Sequence, residues 1–419
     1  MIPYSDPGYF VLLLGPLLGL AALGSTGVLR RSVVLAASVA LVLFQYGDPL
    51  GDVRTGLRDL VWLGAYVAAS VALVRAYARR PRPGSVGAFR LAVAFALLPL
   101  VAARVAPLVA TLTRAALAAG AGTPGASPMV LGLFDSIGFL GLSYMTLRVV
   151  DALVVLRDGV VKEVPRMTDV ASYLLFVPTI SAGPIDRFRH FTSALDALPR
   201  SRRDYLRDVE AGIHRIAQGL LYKFIVADLL HARALVPLAT RPGVLATVGY
   251  MYAFSLYLFF DFAGYSAFAI GVGRFFGIEV PENFRAPFLS RNFREMWDRW
   301  HITLSWWLRD HVYMRFMLTA ARRRWFGGDR RRAHHAALLL TMGLMGVWHG
   351  LASQYLVYGL YQGLMLVVYD VVGRWGARRG IVADGPWARA ASVVLTVHLF
   401  CFGLLIFSGR LFGTLLVGP

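Results

Sequence analysis

The stretch REMWDRWHITLSWWLRDHVYMRF, residues 294–316, decides how this chain has to be organised. It carries four arginines, three acids, two histidines and four tryptophans. A helix immersed in lipid does not tolerate that charge, because each ion costs about 2.5–3.5 kcal/mol at the centre of a span. A soluble surface helix has no use for four tryptophans. The stretch therefore needs cover from protein, and the rest of the chain says what kind.

Outward from it the sequence is strongly apolar. Its 419 residues are 57% hydrophobic, and the mean hydropathy is +0.58. Repeated apolar runs near spanning length mark a polytopic membrane protein. The first run, Tyr9–Leu29, has no basic region before it and exceeds a signal core, so it reads as a retained span. The single cysteine, Cys401, excludes an internal disulfide framework and cysteine-based metal clusters. Its apolar surroundings make it a buried bystander.

Lysine and arginine number 43 against 24 acids, a net charge of +19. The arginines at 30–31, 79–82, 200–203, 322–324, 330–332 and 378–379 all flank apolar runs, as cytoplasmic loops require. Anionic lipid and a cytoplasmic acidic partner can both use that face. No nucleic-acid-binding module accompanies the basic clusters, so nucleic acid is not expected as a partner.

Runs at 9–29, 33–46, 60–77, 91–112 and 129–156 read as five spans, with the N-terminus outside and the linker AAGAGTPGASP (118–128) also outside. The segment VASYLLFVPTISAGP (170–184) is too short and too broken by proline and glycine to cross, and reads as re-entrant. Spans follow at 212–230, 244–260 and 262–277, the last two divided at Asp261. That count leaves 278–293 outside, whereas the arginines of 322–332 belong inside. The missing crossing is then assigned to 293–318, diving through protein. Runs at 336–348, 353–372 and 390–408 complete the chain.

His349 is the one group titrating near neutral pH between Ala336 and Tyr355. On a helix starting at Ala336 it lies about 20 Å into a ~30 Å core. An ionisable group at that depth is a functional-site candidate, flanked here by Gly346 and Gly350, which permit close approach. His301 lies in the opening stretch. On one continuous helix it shares a face with Trp297, Leu304 or Ser305, and Leu308. Histidine is the usual general base near neutral pH. No G-x-S-x-G, H-E-x-x-H, Walker or Rossmann motif accompanies the pair. A base without a protein nucleophile suits direct transfer of an activated acyl group to a hydroxyl. The other histidines, in basic or less suitable company, are weaker candidates.

Taken together, FDFAGYSAFAIGVGRFFG, PENFRAPFLSRNFREMWDRWHITLSWWLRDHVYMRF, MGVWHG and the upstream SAGPIDRFRHF (181–191) resemble the membrane-bound O-acyltransferase (MBOAT) family. PYSDPGYF, VYMRFMLTAARRRWF and GVWHGLASQYLVYGLYQG resemble its D-alanyl transferase branch. Tyr313 is followed by MRFML, where the alginate O-acetylase branch tends to carry Ile-Pro-Leu-Gly-Gly. The resemblance implies an all-α polytopic membrane fold with roughly 11–12 crossing helices, plus re-entrant and interfacial helices, around a central tunnel. It also implies one membrane domain over 1–419, with N-terminal helices in 1–160, a catalytic core in 170–372 and a C-terminal helix in 390–419.

By the same resemblance His349 matches the family's catalytic histidine and His301 its second signature histidine. Trp297, Trp300, Ser305 and Trp348 would line the substrate tunnel. Val312, Met314, Arg315, Phe316 and Met317 would dock the carrier. The implied donor is D-alanine on the phosphopantetheine thioester of a small acidic carrier protein of the DltC type, working with a DltD-type membrane protein. No metal and no cofactor bound by the chain itself are expected. The setting is the bacterial cytoplasmic membrane, and the acceptor is a teichoic acid or another envelope polyanion. Acetylation of an exopolysaccharide and, from another class, transport remain the alternatives, as does a packing, orienting or binding role for His301.

Overall fold

A segment buried in lipid has to close its backbone hydrogen bonds on itself, so the apolar runs of this chain fold as helices. The computed structural model describes residues 29–46, 53–80, 85–118, 141–197, 201–380 and 385–413. The expected first span at 9–29, the motif PYSDPGYF, most of the linker at 118–128 and the fifth span before residue 141 lie outside the described residues. Among the described residues there is no strand, only an isolated antiparallel bridge between Phe284 and Trp300. Five helical stretches among the described residues are long and apolar enough to cross a membrane: Gly56–Ala78, Val86–Thr113, Val244–Phe275, Ser353–Arg378 and Pro386–Phe407. The chain is an all-α polytopic membrane protein.

Contacts divide it into two compact units, Met1–Arg215 with Phe268–Val280, and Ile216–Ala267 with Pro281–Pro419. The first holds helices α1 (Leu29–Tyr46), α2 (Val53–Ala78), α3 (Val86–Ala118), α4 (Leu142–Arg157), α5 (Met167–Leu175) and α6 (Phe188–Asp196). The expected re-entrant segment is α5 followed by a 3₁₀ turn at Val177–Thr179, too short to cross. Its broken backbone is satisfied from α4. The Arg148 guanidinium, 1% exposed, donates to the carbonyls of Tyr173 (2.8 Å), Leu174 (3.1 Å) and Thr179 (2.6 Å). One turn on, the buried Asp151 carboxylate accepts from the Phe188 backbone N–H at 2.7 Å and from Arg187 Nη1 at 3.0 Å. In α6, a hydrogen bond donated by the His190 ring to the Asp186 carboxylate just before the helix raises the His190 pKa against the effect of burial, while burial raises that of Asp186.

Helix α7 (Arg202–Leu220) continues through π-helical turns at Leu221–Ala227 and His231–Leu235 to Ala239. Helix α8 then runs unbroken over Val244–Phe275. This corrects the two spans expected at 244–260 and 262–277. A carboxylate at the middle of a span looks like a loop in the sequence, but Asp261 is ion-paired with Lys223 of the π-helical turn, so its charge is met inside the protein. At ~1.5 Å per residue the 32 residues extend about 48 Å, enough to cross a ~30 Å core once.

The parity conflict disappears with the second crossing. With one crossing in place of two after the run at 212–230, the count itself puts 278–293 on the side expected for the arginines of 322–332, and 293–318 is not needed as a crossing. That stretch is not one diving helix. It folds as α9 (Phe293–Arg299), α10 (Ile302–Leu308), a π-helical turn (Arg309–Tyr313) and α11 (Met314–Arg322). Helices α12 (Arg330–His349), α13 (Ser353–Arg378) and α14 (Pro386–Phe407) complete the second unit. Single cysteines at positions 285 and 325, in a Cys401→Ser background, are expected to react with an impermeant reagent from the same face of sealed vesicles. Labelling from opposite faces would restore a crossing between them.

Candidate active site

The two histidines picked out by the sequence come together in the second unit, and each is delivered by a different device. Helix α9 starts at Asn292, whose side chain accepts from the Glu295 N–H at 2.9 Å, while the Glu295 carboxylate reaches back to the Arg291 N–H at 2.8 Å. This reciprocal capping fixes where the helix begins. Glu295 also pairs with Arg299 at 2.6 Å, and Asp310 with Arg309 at 2.8 Å. Much of the charge load of the opening stretch is thus met between near neighbours in sequence.

The helix stops at Trp300, which is extended, and His301 sits in the left-handed region at φ 44°, ψ 51°. A non-glycine residue costs about 1–2 kcal/mol there, so the surroundings have to impose it. The segment 283–285 does so. Arg285 N–H donates to the Arg299 carbonyl (3.0 Å) and Ile302 N–H to the Asn283 carbonyl (2.9 Å). The buried Asn283 side chain donates to Ser266 of α8 at 3.1 Å and accepts from Thr303 Oγ1 at 2.6 Å. Ser305 Oγ donates to the His301 carbonyl at 3.1 Å. Trp297 and His301 therefore do not share the face of one continuous helix. The break turns the imidazole independently of α9.

His301 is 5% exposed, lies edge-on to Phe262 at 4.8 Å between ring centroids, and faces Trp348 at 6.4 Å. Its Nε2 has no hydrogen-bond partner among the described residues. Trp300 is enclosed by Phe284 and Phe400, each at 5.2 Å, with Phe259 and Phe288 beyond. Trp297 meets Phe400 at 6.0 Å, and its indole N–H is likewise without a partner among the described residues.

His349 is the last residue of α12 and is half-buried. Its ring contacts Trp348 at 4.8 Å, Phe407 at 5.0 Å, and Tyr355 and Tyr358 at 6.2 Å each. Trp348 thus stands against both imidazoles. The position of His349 depends on how closely α12 and α13 approach. A Cβ at Gly346 would fall 2.4 Å from the Tyr355 carbonyl, and one at Gly359 would fall 2.5 Å from that of Met342. Small residues let two helix backbones touch in this way. Gly350 admits the Tyr355 ring, 2.6 Å from where a Cβ would stand.

The expected docking residues lie at the far end of α12. Val312 is in the π-helical turn, and Met314, Arg315, Phe316 and Met317 are in the first turn of α11. Met314 is exposed and the other four are half-buried. Phe316 packs on the exposed Trp325 and Phe326. Tyr313 bonds His334 at 2.7 Å, and the adjoining His335 pairs with Asp370 at 2.9 Å, so this segment is pinned to the start of α12 and to α13.

Phe262, Asn283, Tyr358, Phe400 and Phe407 had no chemical signature in the sequence; apolar rings and one asparagine are everywhere in such chains. Gln362, a carboxamide inside an apolar span, is the kind of signal a sequence does carry. Among the described residues no group of three His, Cys, Asp or Glu side chains is placed to hold a metal ion. The arrangement offers a base in an aromatic, poorly hydrated enclosure, with no side-chain nucleophile in the contacts described for it.

A profile of the membrane-bound O-acyltransferase family matches residues 160–409. Over 415 residues, 98% of this chain and 99% of the other, the sequence is 35% identical to a teichoic acid D-alanyltransferase of Bacillus subtilis. A Streptococcus thermophilus protein of the same description is 35% identical over 299 residues, 68% of this chain and 71% of the other. A probable alginate O-acetylase of Pseudomonas fluorescens is 32% identical over 239 residues, 56% of this chain and 45% of the other.

Gly346→Ala is expected to force α12 and α13 apart and destabilise the protein by about 1–3 kcal/mol, read as a lower melting temperature in detergent. Unchanged melting would mean the two backbones do not touch there.

Proposed function

This chain belongs to the membrane-bound O-acyltransferase family, and from that premise we propose that it transfers D-alanine to teichoic acid or a related envelope polyanion. It is an acyltransferase and a multi-pass protein of the bacterial membrane. The observation that carries the finer reading is the end-to-end likeness to a teichoic acid D-alanyltransferase, against the partial coverage of the alginate O-acetylases.

The site supports a direct transfer. His349 takes the proton of an acceptor hydroxyl, the oxygen attacks the thioester carbonyl, and the departing thiolate takes the proton back from the imidazolium. Such general-base catalysis contributes about 10²–10⁴-fold. His301, held rigidly across Trp348, orients the acyl group or the acceptor against that base. Trp297, Trp300, Ser305 and Trp348 line the approach, with the Ser305 hydroxyl turned to the His301 carbonyl.

The donor in this reading is D-alanine on the phosphopantetheine of an acidic DltC-type carrier, docking on Val312, Met314, Arg315, Phe316 and Met317. An exposed Met314 beside the Phe316–Trp325–Phe326 group, rimmed by Arg322–Arg324 and Arg330–Arg332, suits such a partner. From His334 to His349 α12 rises about 22 Å. An extended prosthetic arm, rather than the folded carrier, has to cover that distance. The acylated product passes outward to a DltD-type protein or directly to the polymer.

The test uses purified protein in liposomes with carrier bearing labelled D-alanine. The native protein is expected to discharge the carrier, His349→Ala to slow it at least 100-fold, and His301→Asn, which tolerates the left-handed backbone, to fold normally and slow it as well. Discharge by His349→Ala at the native rate would remove the base. A native protein that discharges acetyl but not D-alanyl carrier would favour the acetylase reading.

A further inference from the structure

One buried polar side chain in the second unit has no partner and no role in the transfer as described. Gln362, on α13, is 0% exposed, and neither its Nε2 nor its Oε1 has a hydrogen-bond partner among the described residues. A carboxamide taken out of water without a partner is costly, and such groups in a folded interior call for an explanation.

Its place relative to His349 follows from the helix repeat. His349 is held between Tyr358 of α13 and Phe407 of α14. One turn along each helix, on the same face, stand Gln362 and Gly403. These two touch: a Cβ at Gly403 would fall 2.4 Å from Gln362 Nε2. The pairs Tyr358 with Phe407, and Tyr361 with Leu399 and Phe402, give the same antiparallel register. The carboxamide therefore lies about 6 Å, one turn, beneath the rings that hold the imidazole. On its other side Phe400, next on the same face of α14, meets Trp297 and Trp300. Gln362 is thus set between the base and the tryptophans read as tunnel wall.

Acyl transfer needs more than a base at that place. When the acceptor oxygen bonds to the carbonyl carbon, the π pair moves onto the carbonyl oxygen, and a preorganised N–H donor in a poorly hydrated site stabilises that charge. We propose that the Gln362 carboxamide is this donor, a further catalytic residue that binds the acyl carbonyl and holds the oxyanion until the C–S bond breaks and the thiolate leaves. Gly403 lets α14 close on the amide, which is 0% exposed, so α13 and α14 have to part locally for the acyl carbonyl to reach it. Amide nitrogen and oxygen are related by a flip, so either edge can present the N–H. The inference rests on acyl transfer and not on the identity of the acyl group.

Gln362→Met keeps the length of the side chain and removes the donor. Transfer is measured in liposomes, with D-alanyl and acetyl carrier in parallel, on whichever thioester the native protein discharges. The expected result is a fall in kcat of about 100- to 1,000-fold, an unchanged KM for the carrier, and a melting temperature no lower than native, since an unpartnered polar group has gone. If Gln362→Met does not fold, Gln362→Glu keeps the shape, and its carboxylate is expected to lower kcat at least as much. A kcat within threefold of native in the folded variant would make the amide a structural group and overturn the proposal. A native protein active on acetyl carrier alone would overturn the D-alanyl reading and leave this comparison standing on the acetyl donor.

Discussion

Where a helix breaks at membrane depth, its backbone N–H and C=O groups must be met by protein, because lipid offers them nothing. An unsatisfied buried group costs about 1–3 kcal/mol, so a break without a partner is not sustained. The two breaks that matter are each matched to a dedicated polar residue. Arg148 spreads its fork of donors over the carbonyls of Tyr173, Leu174 and Thr179. Asn283 and its neighbours close the break at Trp300–His301 from both sides. Neither residue touches a reacting group in the mechanism argued above; Arg148 holds the break in the first unit, and Asn283 holds the backbone at His301 in the second.

The second of these breaks is also what makes the site chemical. An uninterrupted helix over 293–308 would point His301 wherever its 100° step allowed. A forced left-handed residue instead aims the imidazole at Phe262 and Trp348, away from the charged surface of α9. The backbone strain of about 1–2 kcal/mol is offset by the bridge to 283–285 and by the Ser305 hydroxyl. The result is a buried imidazole in an aromatic enclosure, where dipoles act more strongly than in water. His349 is held as firmly by a different means, the contact of two glycine-bearing backbones.

Helix α12 joins two ends with different work. Its start is pinned to the π-helical turn through Tyr313 and His334, beside the residues read as carrier-docking. Its end carries His349. From His334 to His349 the helix rises about 22 Å, so the two regions stand at a fixed separation.

Much of the candidate site was legible in the sequence. His349 stood out because an ionisable group deep in an apolar run is expensive, and His301 because four tryptophans surrounded it. The apolar runs at 60–77, 91–112, 353–372 and 390–408 gave helices where expected, since in lipid a long apolar segment has few other options. The single helix over Val244–Phe275 was hidden, because its mid-span Asp261 is acceptable only beside Lys223, 38 positions away. So was the kink at His301, which is imposed by Asn283 and not by any local glycine or proline. Gln362 carried its signal only faintly. A carboxamide in a span can face lipid, a neighbour or a substrate, and what sets it between His349 and the tryptophans is the meeting of α13 with α14. Local chemistry and the cost of burying charge fixed which residues had to be special; long-range partners, each meeting a group that lipid would have left unsatisfied, decided where they stand.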